Sequence, residues 1–102
     1  GRRPSGAGLP TAFALGQNKP NPFGDGTVIR FELPVKTSVA IEVFDVHGRR
    51  VQTLARGEWQ AGFHTVSWDG RNGTGQRVSP GIYLYRMVAG AFNATRKLAV
   101  LP

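Results

Sequence analysis

A chain of 102 residues has room for one domain with a modest core, and its lack of cysteine excludes disulfides and thiolate metal sites. Thirteen Lys and Arg against six Asp and Glu give a formal charge of +7, a balance able to attract nucleic acid, anionic lipid or acidic polysaccharide. The cations are dispersed in runs no longer than two, which describes a solvated, arginine-rich surface and no nucleic-acid partner. No apolar run is long enough for a membrane-spanning helix. The chain starts at Gly1, the expectation for a piece cut from a longer protein whose leader would lie upstream.

In chain order, residues 1–12 read as a flexible linker, GRRPSGAGLP being rich in Gly, Pro and Ser. The folded domain is expected over 13–102, with a first strand near Phe13 to Gln17. Period-two alternation then dominates. Thr27, Ile29, Phe31 and Leu33 share one face, and Val39, Ile41 and Val43 share another. A turn at Asp45-Val46-His47-Gly48 leads into a short strand, Arg50 to Leu54. Phe63 to Trp68 follows, with His64, Val66 and Trp68 on one face and Trp59 in a Gly-flanked loop before it. The stretch Trp68 to Gln76 is built from Gly, Asn and Asp, residues that reverse a chain at low steric cost. Gly81 to Ala89 and Ala91 to Leu101 pair across Gly90, the first opened by Pro80. No segment carries a sustained helical period. Seven strands in about 90 residues predict an all-β, seven-stranded, immunoglobulin-like antiparallel β-sandwich.

Three signatures stand in order: Asn18-Lys19-Pro20-Asn21-Pro22-Phe23, then Asp45 to Arg49, then Gly62 to Gly70 with Gly81 to Arg86 and Arg96-Lys97-Leu98. The set resembles the C-terminal sorting domains of the bacterial type IX (Por) secretion system, over roughly Leu15 to Pro102. Ile41 to Ala89 is also similar to the immunoglobulin-like domain of the flagellar hook-capping protein. The resemblance implies a non-catalytic module that directs a secreted protein, such as a hydrolase, through the type IX machinery to the cell surface. Its implied partners are the outer-membrane secretion machinery and, after processing, surface lipopolysaccharide; the domain itself would be a monomer without cofactor. The matched recognition residues are Asn21, Pro22, Phe23, Asp45, Gly48, Arg49, Arg96 and Lys97. The chain departs from the family in ending Val100-Leu101-Pro102 where a basic residue is common.

Several of these residues have local work to do. Asp45 and Gly48 suit turn capping and positive φ, while turn chemistry alone does not require Arg49. Phe23 reads as an apolar plug over one open end of the sandwich, fixed by Pro22. Arg96 and Lys97, adjacent in a strand, point to opposite faces. Lys on an edge strand discourages unwanted pairing, whereas a receptor adding its own strand there is the functional alternative.

Trp59, Tyr83 and Tyr85 raise a second reading, a carbohydrate-binding or adhesive module of a secreted glycoside hydrolase. It requires the three rings to form one exposed strip. Trp68, in phase with Val66, belongs to the core. Asp69 to Gly75 has one acidic residue and no metal-ligand set. His47, His64 and Ser67 form no nucleophile–base pair, so no enzymatic activity is expected.

Overall fold

A computed structural model describes residues 8–102; the linker predicted for 1–12 lies partly outside the described residues. Seven strands are present among them: β1 (Ala14–Leu15), β2 (Thr27–Leu33), β3 (Thr37–Phe44), β4 (Arg50–Trp59), β5 (Gly62–Trp68), β6 (Gly81–Ala89) and β7 (Phe92–Val100). They form two antiparallel sheets, β1-β2-β5 and β4-β3-β6-β7. The architecture is the immunoglobulin-like sandwich that the alternation predicts.

The alternation works because each sheet buries one face only. Ile29, Phe31 and Leu33 from β2 meet Val39, Ile41 and Val43 from β3, all buried, with Tyr85, Met87 and Ala89 of β6 beside them. Trp68 closes one end of this core. Its ring stands edge-on to Phe23 at 5.5 Å and to Tyr83 at 5.8 Å, and its indole N–H donates to the Arg71 carbonyl at 2.8 Å. Gly70 lies under that corner at φ +78°, with the Phe23 ring 3.5 Å from where a Cβ would stand, so a side chain there would fit in ordinary contact but strain the backbone.

β4 is longer than its sequence suggests. It runs past Leu54 to Trp59, because Arg56, Gly57 and Glu58 pair with Ala40, Val39 and Ser38 instead of turning away. Two register shifts, between Ile41 and Glu42 and between Val43 and Phe44, break its alternation, and only Ala55 is buried. Bulges of this kind put neighbouring side chains out of phase. The first and last strands are, conversely, shorter than expected by a few residues.

Candidate functional site

The Asp45 turn is self-contained. One carboxylate oxygen accepts the His47 N–H at 2.9 Å and the Arg49 N–H at 3.0 Å, and the other accepts from Arg49 Nε at 3.0 Å. These bonds, the Arg49 backbone N–H above all, hold the Asp45 carboxyl below its ordinary 3.8 despite some desolvation. Gly48 takes φ +82°, as a tight hairpin exit requires. Arg49 therefore has a structural partner, yet most of its side chain stays in solvent, 77% exposed. Beside it opens a cleft of about 630 Å³ between this turn and the residues around Arg77 to Tyr83. Arg77 reaches across to donate to the Gly24 carbonyl at 2.8 Å.

Asn21, Pro22 and Phe23 lie against the far end of β7. Asn21 Oδ1 accepts the Ala99 N–H at 2.9 Å, the Phe23 N–H donates to the Ala99 carbonyl at 3.0 Å, and the Leu101 N–H donates to the Phe23 carbonyl at 2.8 Å. Phe23 thus pairs in parallel with Val100, as a short extra strand would. Its ring is buried, while Asn21 and Pro22 remain exposed. The Asn-Pro-Phe element and the last strand, far apart in sequence, are one hydrogen-bonded unit.

Arg96 and Lys97 do face opposite ways. Arg96 Nε donates to the Leu15 carbonyl at 2.6 Å, lacing β7 to β1 of the other sheet. Lys97 is exposed on the outer face, and its carbonyl accepts from Gln17 Nε2 at 2.7 Å. The residues matched in the sequence therefore fall into two groups. Asp45 and Arg49 line the cleft, with Gly48 in the turn between them, whereas Asn21 to Phe23, Arg96 and Lys97 lie along β7.

The strip needed for sugar stacking is not formed. Tyr83 and Tyr85 share a face, but it is the inner one, and they are 8% and 0% exposed. Tyr85 donates its hydroxyl proton to the Gly16 carbonyl at 2.6 Å and accepts the Asn18 N–H at 2.9 Å. Trp59 ends β4 rather than sitting in a loop, half-buried, edge-on to Phe31 at 5.2 Å and to His64 at 5.1 Å. Sequence reasoning missed the Tyr85–Asn18 bond; the available signal was a tyrosine at an inward position, whose hydroxyl must find a partner. In the 69–80 loop, Asn72 Oδ1 accepts from the Thr74 N–H, the Thr74 hydroxyl and the Gln76 N–H, at 3.0, 2.8 and 3.0 Å. That carbonyl oxygen organises the loop from within. No cluster of three His, Cys, Asp or Glu that could hold a metal occurs among the described residues.

The FlgD Ig-like domain family matches residues 18–91. Dimeric latent PorU from Porphyromonas gingivalis is structurally similar, with a TM-score of 0.69 at 20% identity over 89% of this chain and 10% of PorU. PorZ of the same organism, an essential bacterial surface component of the type IX secretion system, gives 0.58 at 20% identity over 88% and 11%. FlgD from P. aeruginosa gives 0.58 at 28% identity over 74% of this chain and 58% of that one. The chain thus spans about a tenth of PorU and of PorZ. No curated protein sequence matches it.

Proposed function

This chain belongs to the FlgD Ig-like domain family, and on that premise we propose that it is a non-catalytic C-terminal sorting module of the type IX secretion system. It would direct a secreted protein, such as a hydrolase, across the outer membrane and to the cell surface. The partner would be the outer-membrane machinery, with attachment to surface lipopolysaccharide following where the domain is removed. The observation that carries this reading is the bonding of Asn21 and Phe23 to Ala99 and Leu101. It unites the Asn-Pro-Phe element, which lies inside that family match, with the terminal basic strand, which lies beyond it. The family match stops at residue 91, before β7 begins. The fold shared with PorU and PorZ is consistent with this reading.

Within the module the matched residues would divide their labour. Phe23, Gly48 and Arg96 shape the surface; Arg49 and Lys97, both exposed, would touch the receptor. The test is export of a fluorescent reporter fused ahead of residues 13–102 in a host with a type IX system. Deleting Arg96 to Pro102 would also remove buried Leu98 and Val100 from the core, so loss of export in that deletion is uninformative. Lys97→Glu changes an exposed side chain; Arg49→Glu also breaks the pair with Asp45, so each serves only where its melting curve matches the parent's. Surface fluorescence with the parent domain, and periplasmic retention of a charge-reversed variant that melts like the parent, support the proposal. Retention of the parent fusion refutes it.

A further inference from the structure

The two outer strands of the four-stranded sheet are unlike each other. β4 carries two register shifts against β3, and bulges spoil an edge for further pairing. β7 carries none, its partners running without a break from Ala89↔Phe92 to Gly81↔Val100. In an antiparallel pair the N–H and C=O of alternate residues point to the same side. Ala99 directs both groups outward, to Asn21 and Phe23. Asn93, Thr95 and Lys97 share that parity and must do the same.

The outward groups are unevenly occupied. Ala99 N–H and C=O, Leu101 N–H and the Lys97 carbonyl are taken by Asn21, Phe23 and Gln17. Among the described residues, nothing bonds the outward groups of Asn93 and Thr95 or the Lys97 N–H, and all three residues are exposed. Half of this edge is thus already paired, strand fashion, with the chain's own segment. The other half continues it in unbroken register.

We propose that this open half-edge, Asn93 to Lys97, receives an extended acidic strand from a partner protein, an inference that rests on the sorting reading. Backbone pairing supplies the register, and charge supplies the choice of partner. Neither β6 nor β7 contains an acidic residue. Lys97 stands on the outer face of the edge, and Arg86 is the register partner of Thr95. Beyond Arg96 a groove of about 590 Å³ opens over the outer face of the three-stranded sheet, with Lys19 and Arg30 in its lining and Glu32 its sole acid. Carboxylates alternating along a guest strand would meet a cation on either face. Two other occupants fit less well. A second copy would bring +7 against +7. The chain's own first seven residues carry Arg2 and Arg3, and Pro4 has no N–H to give.

The test follows amide hydrogen exchange by NMR in the full chain, with a capped peptide of alternating valine and glutamate and its valine–lysine counterpart. The glutamate peptide should slow exchange at Asn93, Thr95 and Lys97 and leave Ala99 unchanged. Its affinity should fall about tenfold in Thr95→Pro, which loses an outward N–H but no bond to β6, and by a similar factor in Lys97→Glu. Melting curves check both variants, and Lys97→Glu carries the test should the proline disturb the fold. Equal binding of the lysine peptide, or no protection by either, overturns the proposal. Protection without peptide that grows with protein concentration would point to a second copy, and protection lost on deleting residues 1–7 would point to the chain's own start. If Thr95→Pro still exports the reporter as the parent does, the edge is not the receptor's contact while the sorting function stands.

Discussion

Replacing Tyr85 with Phe removes one oxygen from the centre of the sandwich and leaves the ring packing in place. That oxygen holds two groups of the entering segment, the Gly16 carbonyl at 2.6 Å and the Asn18 N–H at 2.9 Å. Asn18 is 1% exposed, so no bulk water can replace the lost acceptor. An orphaned buried donor costs about 1–3 kcal/mol. Gly16 is half-buried, and its carbonyl, partly solvated after the change, adds about 0.5–1 kcal/mol. The total is about 1.5–4 kcal/mol, which for a domain of this size lowers Tm by about 6–30 °C. Urea unfolding followed by tryptophan fluorescence measures it, with the m-value unchanged. Tyr83→Phe is the control. That hydroxyl donates to the carbonyl of exposed Ser79 at 2.6 Å, where water can substitute, and the cost should stay below about 1 kcal/mol. A Tyr85→Phe domain within about 0.5 kcal/mol of the parent, or one no worse than Tyr83→Phe, would refute the reasoning. Burial also lifts the Tyr85 phenol above its ordinary 10.0, with the Asn18 N–H and the Arg96 charge drawing it partway back. The unfolded chain therefore gives up this proton first. The stability tied to the protonated hydroxyl is complete below pH 10 and is lost as pH rises toward the folded value. The Phe variant should lose less of its stability over that range.

Trp68→Ala, at a ring 2% exposed, should cost about 3–5 kcal/mol by denaturant unfolding, and a near-neutral result would put the ring outside the core. Gly70→Ala should cost about 1–2 kcal/mol from its positive φ alone, and Gly70→Asn visibly less in the same melts. Because the Asp45 carboxyl is held below 3.8, its contribution is present above that pH and disappears as pH falls through the folded value; Asp45→Asn should flatten that part of an acid titration of stability. Asn21→Ala should speed amide exchange at Ala99 without affecting Thr95, the readout being exchange monitored by NMR.

β2 and β3 were legible because their sheets are buried on one side, so Thr27 to Leu33 and Thr37 to Phe44 alternate as the burial does. β4 was not. Its pairing with β3 slips twice, and Gly57, which reads as a turn residue, sits inside the strand at φ +131°. The environment of Trp59 was equally hidden, since it depends on Phe31 and His64, which two other strands deliver. The Asp45 turn was legible in part: the capping by Asp45 and the positive φ of Gly48 are local, whereas the two bonds from Arg49 to the Asp45 carboxylate were not foreseen although they span only four residues. The bond from Arg96 to Leu15 spans 81 positions, and no local pattern announces a long side chain that will cap a distant carbonyl. Local chemistry thus located the turn and the strands, whereas the lacing between sheets belongs to tertiary structure alone.

That lacing bears on the edge of β7. The segment from Ala14 to Phe23 serves both sheets: Leu15 pairs with Phe31 in one, and Phe23 pairs with Val100 in the other. Between them the Gln17 side chain holds the Lys97 carbonyl, and Arg96 holds Leu15 in return. A strand edge closed by side chains over part of its length and by backbone at its end has a definite boundary. On one side of Lys97 the outward groups are satisfied within the chain, and on the other none is taken among the described residues. The basic pair stands at that boundary. Arg96 fixes the entering segment through the Leu15 carbonyl while remaining exposed beside the groove, and Lys97 presents its charge on the other face.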